Sequence, residues 1–312
     1  MSNSTRVCII GMGAWGSALA CILAQTGTFV NLISASGRTS KPKYLPNNSQ
    51  FLTVNEEIEV AVRNSFLIFL APSSQHFRKV AAAIQPFVTN QGLISLTKGI
   101  EPSSGKTMSQ ILLESFDNVG VLSGGSHAEE VIMSLPFYLT LGFNSKNEYL
   151  PISVKEIFKS TNASVELTED MKGIELAAAL KNIVAVSVGI SDGLGLGDNF
   201  RSTLIVKGMQ EISRLGKSLG CDLATFYGYA GLGDLIATSL SEHSRNRKFG
   251  FLLGQGMTLS DAKNKVGAVV EAIYAIQGAR TLIKMAGISS HYFDVMSDIL
   301  TNSTTPKKIL TL

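Results

Sequence analysis

The chain has 312 residues, of which 45% are hydrophobic and 16% charged, with a mean hydropathy of +0.22. That apolar content fills sizeable cores and excludes a disordered or linker-like chain, and the length suits about two domains. Lys and Arg number 27 against 24 Asp and Glu, so the net charge is only +3, without the strong basic bias of a general nucleic-acid binder.

Residues 7–24, VCIIGMGAWGSALACILA, carry no charge and have the hydropathy of a signal sequence or membrane anchor. The glycines at 11, 13 and 16 argue instead for a strand that turns sharply into a helix, and no basic stop-transfer flank follows. A cytoplasmic chain without a membrane-inserted segment is therefore expected. After a strand at 7–11 and a helix at 14–26, apolar runs recur at 29–33, 66–72, 92–99, 120–124 and 137–142. Continuous apolar strands separated by helices predict a parallel sheet covered on both faces, a Rossmann-like doubly wound α/β domain over residues 1–167.

The pattern changes near residue 168. Thr168 is suited to N-cap a helix with Glu169 and Asp170 in its first turn. Helical periodicity then covers 169–188, 200–219, 221–240, 258–264, 269–286 and 291–301, with no convincing strand. Residues 168–312 are thus expected to form an all-α domain whose apolar faces permit a homodimer. Cys8, Cys21, Cys221 and the four histidines are scattered, so neither a disulfide framework nor a metal centre is expected.

Gly11-Met12-Gly13-Ala14-Trp15-Gly16 has the G-x-G-x-x-G form between a strand and a helix. In that context the first glycine makes the turn, the second admits a pyrophosphate and the third lets helix and strand pack closely. An ordinary tight β–α turn is the alternative. The second strand leads into Ser34-Ala35-Ser36-Gly37-Arg38, with no acid before Glu56 and with Lys41 and Lys43 nearby. Hydroxyls and a guanidinium suit a 2′-phosphate, which tilts the expectation toward NADPH over NADH. Arg38 is equally accounted for as a solvated loop charge.

Lys181 lies inside the apolar stretch GIELAAALKNIVAVSVGI, where burial would depress its pKa toward a range useful for proton transfer. Lys98 follows the strand GLISLT at its carboxyl end, where ligands of open parallel sheets bind. In residues 230–250, Asp234 could accept from an ammonium, while Ser244, Arg245 and Asn246 suit a phosphate monoester. Arg247 and Lys248 read as readily as surface charges. These residue types suggest hydride transfer to a phosphorylated carbonyl compound.

The segments GMGAWGSALA, SLTKGIE, LSGGSHAEEV, ELAAALKNIVAVSVGISDGLGLGDN, AGLGDLIATSLSEHSRNRKFG and VVEA resemble, in order, those of NAD(P)-dependent glycerol-3-phosphate dehydrogenases. The resemblance implies reversible reduction of dihydroxyacetone phosphate to sn-glycerol 3-phosphate with NADH or NADPH, feeding glycerophospholipid synthesis. By the same resemblance Lys181 is the catalytic acid/base, Lys98 touches substrate and cofactor, and Asp234, Ser244, Arg245 and Asn246 form the substrate site. Arg245 would also reach the cofactor. Gly124 and Ser126 match substrate contacts, and Ala14, Trp15, Ala128, Val269 and Glu271 match cofactor contacts. Gly125, His127, Ala178 and Ala35 depart from the usual family residues. A catalytically silent NAD(P)H-binding sensor or scaffold is the competing reading; it predicts drift at Lys98, Lys181 or Asp234, and all three are present.

Overall fold

A computed structural model describes residues 6–34, 44–45, 49–144 and 149–312. The chain divides into two compact units, one formed by residues 1–97 and 108–171 and the other by 98–107 and 172–312.

The first unit is built on strands β1 (Arg6–Ile10), β2 (Phe29–Ile33), β3 (Leu52–Val54), β4 (Leu67–Leu70), β5 (Gly92–Ser95), β6 (Val119–Ser123), β7 (Phe137–Phe143) and β8 (Ala163–Thr168). Helices α1 (Ala14–Gln25), α2 (Ile58–Arg63), α3 (Phe77–Ile84), α4 (Met108–Leu112), α5 (Ala128–Ile132) and α6 (Tyr149–Phe158) connect them. The sheet order is β3-β2-β1-β4-β5-β6-β7-β8. Side chains alternate between its faces. Ile9, Phe69 and Ile94 join Leu19, Leu23, Val131 and Val154 in one core, while Cys8, Ile10, Ile68 and Leu93 join Val62, Phe77, Ile84 and Leu112 in the other. Both faces are thus covered, as the unbroken apolar runs require.

Two features correct the expectation of a purely parallel sheet. β7 runs antiparallel to β6, with Ser123 opposite Thr140, and then pairs in parallel with β8. An apolar run reports burial on both faces and carries no information on strand direction. The edge strands β3 and β8 were also absent from the expected set; one is three residues long and the other alternates half-buried with exposed positions.

Thr168 closes β8 and caps no helix. Its hydroxyl accepts from the Asp170 amide at 3.2 Å, and the helix begins at Met171. The second unit consists of α7 (Met171–Gly193), α8 (Gly197–Ser218), α9 (Leu223–Tyr227), a π turn (Tyr229–Gly233), α10 (Asp234–Leu240), α11 (Arg245–Gly254), α12 (Leu259–Val266), α13 (Ala272–Ala286), α14 (His291–Leu300) and a closing 3₁₀ turn (Pro306–Thr311). α7 is its axis: every residue from Gly173 to Ser191 is buried. Among the described residues it is the one helix long and apolar enough to cross a membrane, and it is apolar all round because other helices surround it.

α7 and α11 touch backbone to backbone. A Cβ on Gly189 would overlap the Arg247 carbonyl, and one on Gly193 that of Phe251; Gly250 and Gly254 meet the Val186 and Ile190 carbonyls in the same way. The segment Lys98–Thr107, assigned by sequence to the first domain, belongs with the helices. Ile100 lies in their core against Gly278, and the Thr281 hydroxyl donates to the Pro102 carbonyl at 2.8 Å.

Candidate active site

In the first unit, the glycine-rich turn joins β1 to α1. Gly11 has φ +128°, a conformation closed to other L-residues, and its amide donates to the Ile33 carbonyl at 2.9 Å. A Cβ on Gly11 would overlap the Ala71 backbone, and one on Gly16 would overlap the Gly11 carbonyl. Gly13, by contrast, faces open space at the N-terminus of α1, whose first turn carries no acid. Two glycines therefore allow close packing and the middle one leaves room, the arrangement by which free amides of a helix N-terminus receive a pyrophosphate. The buried Ser17 braces this turn by donating to the Gly13 carbonyl at 2.7 Å, a role not visible in the motif.

Ala14 is exposed at the start of α1, and Trp15 packs edge-on against Phe137 with ring centroids 6.2 Å apart. Gly124 and Ser126 follow the carboxyl end of β6; a Cβ on Gly124 would overlap the Tyr138 carbonyl, and the Ser126 hydroxyl donates to the Gly124 carbonyl at 3.3 Å. Ala128 begins α5 and is buried. Arg38 and its neighbours Ala35 and Ser36 lie outside the described residues.

The second unit brings Lys98, Lys181 and Asp234 together. Lys98 Nζ lies 2.7 Å from Asp234 Oδ2, while the Lys181 ammonium donates to Oδ1 of the same carboxylate. Lys181 also donates to Thr238 Oγ1 at 2.5 Å. An ammonium has three N–H bonds. Two are used in this way, and the third has no protein acceptor among the described residues.

Burial dominates the electrostatics of Lys181. It drives the pKa down from 10.5 to about 7, aided by the neighbouring Lys98 charge and only partly opposed by Asp234. Burial alone would raise the Asp234 carboxyl, yet the two ammonium groups outweigh it and hold the pKa below its usual value. The cluster thus contains a fixed carboxylate and a lysine poised to change charge near neutral pH.

Ser244 is the N-cap of α11, its hydroxyl accepting from the Arg247 amide at 3.2 Å. Arg245, the first residue of the helix, is exposed and forms no ion pair among the described residues. Arg247 is not a free solvated charge: its half-buried guanidinium lies 2.8 Å from one carboxylate oxygen of Asp192, whose other oxygen is held by Arg201 at 2.7 Å. Asn246 is buried, donating to Asn182 Oδ1 at 2.9 Å and accepting from the Ala272 amide at 3.2 Å. Val269 is exposed, and Glu271 directly precedes α13. Thr238, Asn182 and Asp192 escaped sequence reasoning because each occupies an unremarkable helical position whose partner is distant in sequence.

The comparisons with known proteins agree over nearly the whole chain. A glycerol-3-phosphate dehydrogenase [NAD(P)+] of Clostridium botulinum is 36% identical over 315 residues, covering 97% of this chain and 95% of its own length. Its counterpart from Moorella thermoacetica is 39% identical over 296 residues, covering 90% and 87%. The crystal structure of glycerol-3-phosphate dehydrogenase from Coxiella burnetii superposes with a TM-score of 0.92 at 30% identity, covering 99% of this chain and 98% of that one. Family models for the N-terminal and C-terminal parts of NAD-dependent glycerol-3-phosphate dehydrogenase match residues 6–149 and 170–311, and the chain belongs to that family.

Proposed function

We propose that the chain catalyses the reversible reduction of dihydroxyacetone phosphate to sn-glycerol 3-phosphate, with Lys181 as proton donor. The observation that carries the proposal is the unspent third N–H of a buried ammonium whose other two are fixed by Asp234 and Thr238. NADH or NADPH is the cofactor, and when bound it supplies the hydride to the ketone carbon. Gly13 and Ala14 would hold its pyrophosphate at the open N-terminus of α1, while Gly11 and Gly16 let the turn pack closely beneath it.

As the ketone becomes an alcohol, negative charge grows on its oxygen. The Lys181 ammonium stabilises that charge and transfers a proton to it, leaving a neutral amine that Asp234 and Thr238 keep in place. In the oxidative direction the neutral amine takes the proton from the hydroxyl. Lys98 adds a second positive charge on the far oxygen of the same carboxylate. The uncommitted Arg245 guanidinium and the hydroxyl of Ser244 bind the phosphate, far from the reacting carbon, and this remote binding energy orients the ketone.

NADPH is the preferred form, on the strength of Ser34, Ser36 and Arg38 where an acid would repel a 2′-phosphate. Loss of reduced-nicotinamide absorbance with dihydroxyacetone phosphate tests the reaction, and the NADPH to NADH ratio of kcat/KM tests the preference. Tight cofactor binding without turnover would return the chain to the sensor reading.

A further inference from the structure

Gly278, Thr281, Leu282 and Met285 follow one another along a single face of α13, at helical spacings of three and four residues. That face meets the segment Lys98–Thr107. Ile100 lies against Gly278, the Thr281 hydroxyl donates to the Pro102 carbonyl at 2.8 Å, and Gly105 sits beside Thr281, Leu282 and Met285. The segment is also tied to itself. The Glu101 amide donates to the Lys106 carbonyl and the Gly105 amide to the Glu101 carbonyl, both at 2.8 Å, and Ile100 forms an antiparallel bridge with Thr107. Its first residue is Lys98, whose ammonium lies 2.7 Å from Asp234.

Glycine inside a helix is less favourable than alanine, so Gly278 calls for a packing reason. The reason is the buried Ile100. A Cβ on Gly278 would lie 2.7 Å from both Cβ and Cγ2 of Ile100, and 3.2 Å from its carbonyl oxygen. Rotation of the side chain can turn the Cγ2 methyl away, but Cβ is fixed to the backbone. Ile100 would therefore have to move bodily, two residues from Lys98, in a segment whose internal ties resist local give. Such a displacement is readable at Lys181, which faces the Asp234 carboxylate, the Thr238 hydroxyl and the Lys98 ammonium. Burial brings the Lys181 pKa down to about 7, Asp234 opposes the fall, and the Lys98 charge adds to it.

We infer that Gly278 is a positioning residue for the proposed reaction: by letting Ile100 lie directly on α13, it sets where Lys98 meets Asp234. Gly278 touches none of the charged groups itself and acts through Lys98 alone. Thr281 supports the same placement through its bond to Pro102. The inference deepens the proposed reaction and rests on that reading for its kinetic part only; the placement of Lys98 is a property of the cofactor-free protein.

The test follows the Lys181 titration by NMR in cofactor-free protein carrying lysine labelled with carbon-13 at Cε, the signal being assigned by its loss in Lys181→Met. Withdrawal of a like charge lets Lys181 keep its proton to higher pH. Gly278→Ala should therefore move the titration upward by about one pH unit, in the same direction as Lys98→Met. In the Lys98→Met background Gly278→Ala should add no further movement, since no charge remains to be displaced. Gly216→Ala, which overpacks α8 against the Phe226 ring in the same unit, controls for general destabilisation and should leave the titration in place. The kcat of Gly278→Ala with dihydroxyacetone phosphate should fall about tenfold, the scale of a small misplacement in a catalytic cluster. Should Gly278→Ala not fold, Thr281→Val deletes only the bond to Pro102 and should move the titration the same way. An unmoved titration in the variant that folds, an equal movement in Gly216→Ala, or additive movements in the Lys98→Met background would each overturn the inference. Absence of turnover in the unaltered protein would defeat the proposed reaction instead, and the titration would still judge Gly278.

Discussion

Asp234 and Thr238 stand one turn apart on α10 and between them hold two of the three N–H bonds of Lys181. Thr238 also donates to the carboxylate at 3.3 Å, so the acceptor pair is itself braced. The ammonium is therefore oriented by a rigid helical surface, with its remaining proton directed elsewhere.

With Lys181 titrating at about 7, reduction and oxidation should respond to pH in opposite senses. Reduction needs the ammonium, so kcat should fall as pH rises through the Lys181 pKa; oxidation needs the amine and should rise through it. Thr238→Val removes an acceptor that favours the charged form, so both limbs should move to lower pH. Profiles of kcat in the two directions check this, and limbs that stay in place would remove Thr238 from the proton-transfer chain.

The same titration has a stability counterpart. The folded-state pKa of Lys181 lies below its unfolded value of 10.5, so between about 7 and 10.5 the unfolded chain carries a proton that the folded chain has lost. Stability contributed by this group should rise with pH across that window. Denaturant midpoints measured from pH 7 to 10 on the protein and on Lys181→Met would isolate the slope, which should be shallower in the variant.

Lys181→Ala should lower kcat by about 10²–10⁴-fold, the usual contribution of a positioned acid or base, with little change in cofactor affinity. Single-turnover rates and a fluorescence titration of reduced cofactor provide the comparison. Equal losses in both quantities would contradict a role in proton transfer.

Arg245 and Arg247 should separate cleanly. Arg245→Ala removes a charged donor to phosphate and should raise the KM for substrate about ten- to a hundredfold without altering the melting temperature. Arg247→Ala breaks the tie to Asp192 and should cost about 1–3 kcal/mol of stability, discounted for partial exposure, with KM little changed. Steady-state kinetics and thermal melts on both variants decide the assignment.

At the α7–α11 contact, Gly250→Ala would set a methyl group against the Val186 carbonyl. Separation of the two helices should cost about 1–3 kcal/mol, the range for overpacking a filled interior. Because α11 begins with Arg245 and α7 carries Lys181, kcat should fall as well. A stable, fully active Gly250→Ala protein would show that the contact yields easily.

Much of this architecture is legible in the residues. The turn at Gly11–Gly16 reads correctly because its glycines, strand and helix are contiguous. Lys181 stands out because a charge interrupts an apolar helix, and Asp234 reads as its acceptor by chemical type alone. Other features depend on partners that no local pattern shows. The direction of β7 follows from its pairing with β6, and β3 and β8 are too short or too exposed to leave an apolar run. Arg247 resembles any loop charge until Asp192, 55 residues earlier, is placed against it. Asn246 looks like a phosphate ligand by its neighbours, and its bonds to Asn182 and to the Ala272 amide show only once the helices are assembled.

The excursion of Lys98–Thr107 out of the sheet unit has a consequence for how the protein comes into being. Ile100 rests on Gly278, so this early stretch of chain acquires its surroundings only once α13 exists. During synthesis, β5 and α4 can emerge while the residues between them still await a partner some 180 positions ahead. Lys98 therefore meets Asp234 late, and a ribosome-bound chain ending before α13 would possess every charged group of the cluster without the scaffold that gathers them.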